Sequence, residues 1–535
     1  MRSLPVLVAV VVSVLVPGLV AGLVTDGSPI RAAAADPVST IWHLAPADGA
    51  TATAPVVPTP APAAPLLGDV AGPAREVSLP DLLAMAVQTA PALAQARLDR
   101  AIADEAIIRA QTWRDWNVGA DAQVTTRAIG VLGQQTTVDL SGDVVKNLAT
   151  GGAISLHAGA SYQRTPGTLE SADATNLYTE TVTANLVQPL MRGRGEQLRL
   201  AAERGASQDR TAAQLAERAA AIAAVREVVL TYLDLAAAEY NLQIQRSSLD
   251  LARERLRVTE AGIRAGGVAE SETIAVEQAI ATREEAAMSS ELAIIDQSLA
   301  LRRLVGMDIG PGEIALASKI DLAVPARSWD PAALIGQALA TSPDLARLAA
   351  LEAGATIDVE VTENGILPQL DLGLTFGPTG TGDNPGTATK NLVTFDNFTA
   401  IASLSYQHTL GAGAAKADSR AARARREKVR VSATDIKRQI VEAMSRAVAQ
   451  VQAAERRFGI AARAVKLAEK NLAVEQARLG LGRSRNVDVL IRQDELRAAQ
   501  LRASQAVIDW HRAATAIAAL TGELLPAYGI EVGQP

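Results

Sequence analysis

Leu82-Leu-Ala-Met-Ala-Val-Gln-Thr-Ala-Pro-Ala-Leu93 returns as Leu334-Ile-Gly-Gln-Ala-Leu-Ala-Thr-Ser-Pro-Asp-Leu345, so that Pro91 meets Pro343 and Leu93 meets Leu345 at a constant offset of 252. A second constant offset, 216, holds from 252 to 306. There Leu256 meets Leu472, Ile263 meets Leu479, Gly266 meets Gly482, Glu272 meets Asp488 and Gly306 meets Gly522. The chain is one unit written twice, and a repeat of this length sets the architecture before any helix is assigned. The offset falls because the first copy is 36 residues longer, and the surplus lies mainly between 116 and 190.

Each copy reads helix, strands, long helix, turn, helix. Leu235, Leu242, Leu249, Leu256 and Ile263 recur every seven residues in the first copy, as do Met444, Val451, Phe458, Val465, Leu472 and Leu479 in the second. Ala238, Ala252, Ala447, Ala454, Ala461 and Ala468 follow three positions behind, the pattern of closely approaching coiled-coil helices. Gly193 to Ala265 is 73 residues, about 110 Å as one helix at about 1.5 Å per residue. Shorter helices over about 79–113 and 268–306 together match that length and stack end to end beside it. In the second copy, helices over about 330–365 and 485–522 do the same beside 413–481.

Two windows, 116–190 and 366–410, break the helical period. They are rich in Gly and Thr and alternate in polarity, as in Val118-Gly-Ala-Asp-Ala-Gln-Val-Thr125, Tyr178-Thr-Glu-Thr-Val-Thr-Ala-Asn-Leu186 and Leu370-Asp-Leu-Gly-Leu-Thr-Phe376. Such stretches suit the wall of an outer-membrane barrel. Trp116, Tyr162, Tyr178, Phe376, Phe395, Phe398 and Tyr406, seven of the chain's 15 aromatic residues, fall in these windows.

The remaining composition agrees with a helical rod carrying strands. Aromatics are 3% of 535 residues, too few for several compact cores. A net charge of -7 offers no basic field for nucleic acid. Cys is absent, which excludes disulfides, thiolate metal sites and a cysteine nucleophile. The uncharged stretch from Leu4 to Val24, broken by Pro17-Gly18 and followed by Ala32 to Ala35, reads as an export signal. Eight prolines between Asp36 and Ala74 mark a flexible leader.

With these elements in this order, the chain resembles the outer-membrane efflux protein family of TolC type over about 77–525. The resemblance rests on Leu82, Ala86, Pro91 and Leu93 with their counterparts Leu334, Ala338, Pro343 and Leu345. It also rests on Gln188-Pro-Leu-Met-Arg-Gly-Arg-Gly195, Thr231-Tyr-Leu-Asp-Leu235 and Gly482-Arg-Ser-Arg-Asn-Val-Asp-Val-Leu490. It implies a mainly α fold with a membrane β-barrel portion: a homotrimer whose twelve strands, four per chain, close one barrel and whose helices form a periplasmic tunnel. The implied role is the outer-membrane channel of a tripartite efflux or type I secretion system, working with a periplasmic adaptor (membrane fusion protein) and an inner-membrane pump in a Gram-negative cell. It further implies gate or tip residues at Asp488, Arg483, Arg485 and Ser484. Adaptor contacts are implied at Gly266, Gly267, Val268, Ala269, Glu270, Ser271, Gly482, Asn486 and Val487.

The expected divisions are a signal peptide 1–35, a leader 36–76, a first repeat 77–306, a linker 307–329, a second repeat 330–522 and a tail 523–535. The surplus of the first copy predicts an added loop or hairpin over about 131–152 at the extracellular end. No catalytic, cofactor or metal site is expected: His43, His157, His408 and His511 are scattered, and no H-E-x-x-H, P-loop or G-x-S-x-G occurs. The rival reading is a periplasmic coiled-coil adaptor or scaffold, which the heptads alone fit equally well.

Overall fold

The computed structural model describes residues 74–128, 134–166, 174–308, 314–319, 323–325 and 327–530. The expected signal peptide and all but the last three residues of the expected leader lie outside the described residues. In chain order the elements are β1 (Arg75–Val77), α1 (Leu79–Thr89), α2 (Pro91–Gln111), β2 (Trp116–Ala128), β3 (Gln134–Asn147), β4 (Ala153–Thr165), β5 (Thr175–Pro189), α3 (Glu196–Arg199), α4 (Ala201–Arg264) and α5 (Glu272–Val305). There follow β6 (Leu316–Ser318), α6 (Pro331–Thr341), α7 (Pro343–Asn364), β7 (Gln369–Gly382), α8 (Pro385–Val393), β8 (Phe398–Gln407), α9 (Gly413–Gly480), α10 (Asn486–Thr521) and α11 (Leu524–Ala527). They fall into a helical unit and a sheet unit, the latter made of 112–199 and 364–411.

In the helical unit the expected first helix is two. Ala90 takes ψ 122° and Ser342 takes ψ 116°, because a proline bars the α conformation from the residue before it. Pro91 and Pro343 therefore break both copies at the same place. The long helices are 64 and 68 residues. The first starts at Ala201 rather than Gly193, because residues 190–195 are spent on a return bonded through Leu190 N to Leu370 O at 2.7 Å. Of the heptad residues, Leu235, Leu242 and Leu249 in α4 and Met444, Val451, Val465 and Leu472 in α9 are buried, as are Ala252 and Ala454, while Leu256, Ile263, Phe458 and Leu479 are half-buried. Each large seam residue contributes about 1.5–3 kcal/mol by leaving water. No described helix is long and apolar enough to cross a membrane.

Between the copies, the chain is strapped rather than loose. β1, which takes in the last residues of the expected leader, pairs in parallel with β6, which lies inside the expected linker. The fully buried Tyr232 donates from its hydroxyl to Val77 O at 3.1 Å and accepts from Lys319 N at 2.8 Å. Glu239 accepts from Ser318 N at 2.7 Å and from the Ser318 hydroxyl. Burial pushes the Glu239 carboxyl above its ordinary value, and the two bonds from Ser318 partly counter this.

The sheet unit holds one six-stranded sheet in the order β2-β3-β4-β5-β7-β8, antiparallel at every junction. This corrects the expectation of two strands per copy. Among the described residues the first window carries four strands, so the surplus is the hairpin rather than the loop of the two forms expected, running over 134–165 instead of about 131–152, and the count of four per chain behind a twelve-strand barrel becomes six. Gly142 is inside β3, while Gly151-Gly152 turn β3 into β4 at the end of the sheet where β2 begins, as the pairing of Trp116 with Lys146 shows. Gly130 and Gly133 lie outside the described residues. The second window holds an unexpected helix, α8, capped by Asn384 Oδ1 accepting from Thr387 N at 3.0 Å. It lies so close to β7 that a Cβ on Gly380 would stand 2.0 Å from Ala388 O.

The register puts even-numbered residues of all six strands on one face. Val118 pairs with Val144, Val144 with Leu156, Leu156 with Ala184, Ala184 with Phe376 and Phe376 with Ala400. Trp116, Tyr162, Tyr178, Phe398 and Tyr406 share that face by parity. Odd-numbered residues, including Asp121, Asp139, Asp143, His157 and Thr183, form the other.

Candidate functional site

The residues singled out in the sequence lie at two helical turns, α4 to α5 and α9 to α10, that are built alike. Gly266 (φ 78°) and Gly482 (φ 70°) take the left-handed conformation, which a side chain resists. Gly266 N bonds to Ile263 O at 2.8 Å and Gly267 N to Gly262 O at 3.0 Å; Gly482 N bonds to Leu479 O at 2.9 Å and Arg483 N to Arg478 O at 2.9 Å. These pairs satisfy the last carbonyls of each long helix and reverse the chain.

The turns differ in how the next helix starts. Asp488 accepts from Arg485 N at 3.2 Å and lies 3.6 Å from the Arg485 guanidinium, so this carboxylate caps α10 within its own chain. Glu272, its counterpart, has a buried Oε2 without a hydrogen-bond partner. Ser484 gives its hydroxyl to Glu475 of α9 in its own hairpin. Arg483 makes no side-chain hydrogen bond or ion pair among the described residues and is exposed.

Of the candidate contact residues, Gly266, Gly267, Ala269, Glu270, Ser271, Gly482 and Val487 are exposed and Val268 is half-buried. Asn486 is not available to a partner: it is 6% exposed and accepts from Arg255 Nη1 at 3.3 Å. That bond is one part of a polar clasp which sequence reading missed. Arg283 of α5, 2% exposed, donates to Ser248 O at 3.0 Å, to Gln493 Oε1 at 3.1 Å and to Asp494 Oδ1 at 3.2 Å. Arg497 adds a bond to Gln245 Oε1 at 3.4 Å. Burial pushes the Arg283 guanidinium below its ordinary value and the charge of Asp494 pushes it back. Three arginines thus tie the α4–α5 hairpin to α10. At the offset of 216, the position matching Arg283 is Ala499, which is buried in the apolar seam of α9 and α10. The repeat alignment therefore held the signal as an Arg opposite an Ala at a seam position.

A further feature lies on the outside of the helices. Ile460, Leu467, Val474 and Leu481 of α9 and the turn after it, seven apart, are 60, 61, 52 and 72% exposed. They form a second heptad stripe that no described helix covers.

Comparison with known proteins adds the following. Residues 334–523, the second copy, match the family described as outer membrane efflux protein. No curated protein matches the chain. Among solved structures, the fold is similar to the outer membrane protein VceC from Vibrio cholerae at 18% identity, TM-score 0.62, covering 83% of this chain and 96% of that one. It is similar to the outer membrane channel CmeC of Campylobacter jejuni at 13% identity, TM-score 0.63, covering 85% and 87%. The open state of the MtrE outer membrane channel of Neisseria gonorrhoeae matches at 14% identity, TM-score 0.60, covering 83% and 88%.

Proposed function

We propose that this chain, which belongs to the outer membrane efflux protein family and resides in the outer membrane, is the passive exit duct of a tripartite efflux or type I secretion system. It acts as a homotrimer with a periplasmic adaptor and an inner-membrane pump. The family is one of channels, and the chain is read as a conduit rather than an enzyme.

The observation that carries the reading is the sheet: one mostly apolar face, one mostly polar face, and two edges, β2 and β8, that are unpaired among the described residues. Backbone groups on a bare edge cost several kcal/mol each in lipid, so the sheet must pair with further copies of itself. The uncovered stripe Ile460, Leu467, Val474 and Leu481 supports the same assembly, since a seven-residue apolar repeat left in water is a coiled-coil seam awaiting a partner. The exposed turns at 266–271 and 482–485, with Val487, are the surfaces offered to the adaptor. Periplasmic tips hold the duct shut through the clasp.

The test is assembly and conduction. Purified full-length protein in lipid nanodiscs should crosslink as a trimer and sediment as one, and in planar bilayers it should open when the clasp is removed by Arg283→Ala. A stable monomer with no higher crosslinked species and no conductance overturns the proposal.

A further inference from the structure

The hairpin β3–β4 is what the first copy has and the second lacks, and its side chains show what it is for. Its even-numbered residues include Val138, Leu140, Val144, Ile154, Leu156 and Tyr162, with the charged Lys146 and Arg164 near the strand ends; its odd-numbered residues include Asp139, Ser141, Asp143, Ser155, His157 and Gln163. The register aligns each set with the matching set on the strands either side. Val124 pairs with Val138, Val138 with Tyr162 and Tyr162 with Tyr178, while Asp143 faces His157 with Nδ1 to Oδ1 at 2.8 Å. A loop or plug has no need of that agreement; a strand with lipid on one side and water on the other requires it. Of the three charges on the apolar face of the hairpin and its neighbour, Arg164 is exposed one residue before the end of β4 and the other two are covered. Lys146 ends β3 over the Trp116 ring at 5.3 Å, and Glu180 of β5 accepts from Thr389 of α8 at 3.0 Å.

Resting on the trimeric reading above, we infer that β3 and β4 are wall strands, so that three copies close an eighteen-strand barrel with Asp139, Asp143 and His157 of each copy facing the lumen. Six antiparallel strands leave β2 and β8 running in opposite directions at the two edges, so copies joined head to tail meet β8 to β2 in the antiparallel sense of every other junction. The edges also match in kind, since β2 offers Trp116, Val118 and Val124 and β8 offers Phe398, Leu404 and Tyr406, all more than half exposed. One chain does not close on itself: β2 and β8 are unpaired, and even eight strands leave room only for the side chains within. With strands about 4.8 Å apart and tilted about 40°, eighteen give roughly 36 Å between backbone walls where twelve give roughly 24 Å. Acidic rings from Asp139 and Asp143 join those of Asp121 and favour cations in transit.

Electron cryomicroscopy of the full chain in phospholipid nanodiscs reads the strand count directly. Eighteen strands about a three-fold axis are expected. Twelve, with 134–165 folded away from the wall, overturn this inference and leave the duct standing; a particle without a closed three-fold ring overturns the duct reading as well. Because the chain has no Cys, single replacements give an independent readout in assembled trimers. Asp143→Cys should react with a charged, membrane-impermeant maleimide, and Leu140→Cys only with a lipid-soluble one. Equal labelling of the two by the impermeant reagent, or the reverse order, overturns the placement of β3.

Discussion

Removing the Arg283 guanidinium tests the clasp in a way that separates charge from packing. In Arg283→Ala the buried Gln493 Oε1 loses its donor and Ser248 O, inside α4, keeps only its helical hydrogen bond, while Asp494, whose side chain is 53% exposed, regains water. An unsatisfied buried acceptor costs about 1–3 kcal/mol and a lost hydrogen bond from a charged donor about 1.5–3 kcal/mol, so the two losses together cost about 3 kcal/mol, with Asp494 adding little because it is half in solvent. At about 1.4 kcal/mol per factor of ten, separation of α10 from the α4–α5 hairpin becomes about 100-fold more frequent. Amide hydrogen exchange of the assembled protein reads this directly: peptides spanning 486–500 should exchange about 100-fold faster, while β2 to β5 stay as protected as before. Arg283→Met restores bulk but no donor, and should remain close to Arg283→Ala. Asp494→Asn keeps an acceptor oxygen at a half-exposed site and should change exchange by less than about tenfold. If Arg283→Met exchanges like the unaltered protein, the site is held by volume alone and the hydrogen-bonding argument fails.

Four further outcomes follow from the same structure. Gly482→Ala and Gly266→Ala place a side chain in left-handed backbone with open space around it, so each should cost about 1–2 kcal/mol of hairpin stability, read as faster limited proteolysis at the turn. Gly380→Ala drives a Cβ into Ala388 O and should release α8, seen as new protease cleavage within 383–397 with the sheet intact. Glu239 has its folded-state carboxyl raised above the ordinary 4.5 by burial, so its contribution is fully present below the unfolded value and is lost as pH rises through the folded one. Glu239→Gln, which keeps one acceptor for Ser318, should flatten the fall in melting temperature on raising pH above about 4.5; an unaltered profile argues against the assignment. Asp488→Ala should fray the start of α10 by about 1 kcal/mol through loss of its cap, measured by exchange at 486–490.

What could be read in the sequence is what repeats. Pro91 and Pro343, the two heptad runs and the paired glycines at 266 and 482 each state their role twice, and the structure places each pair alike. The strand count escaped because a wall strand needs only alternate apolar residues, and Gln134-Gln-Thr-Thr-Val-Asp-Leu-Ser-Gly-Asp-Val-Val145 supplies few of them. Its register partners on β2 and β4 show the pattern that β3 alone does not. Helix α8, Pro385-Gly-Thr-Ala-Thr-Lys-Asn-Leu-Val393, has weak intrinsic preference for its state and is held by contact with Gly380. The clasp joins residues 210 or more apart, Arg283 with Gln493 and Arg255 with Asn486, and one Arg in an Ala- and Glu-rich helix carries no local sign of such partners.

The two hairpins are held internally and to each other by different means, and the difference decides where the tip comes apart. Within the second hairpin, Val465, Leu472, Val489 and Leu496 pack with Ala468 and Ala499 in a seam without a buried charge. At about 1.5–3 kcal/mol for each large side chain, separating α9 from α10 costs about 6–12 kcal/mol. Between the hairpins near the tips the bonds are the three arginine contacts, of which Arg283 alone accounts for about 3 kcal/mol. Any force applied at the exposed turns, whether from an adaptor or from another copy, therefore breaks the polar contacts first, and the α9–α10 hairpin moves as one piece. The Arg283 and Ala499 pair shows how the repeat was put to this use: at one seam position the second copy keeps the small apolar residue that welds a hairpin together, and the first copy spends the same position on a bond that can be let go.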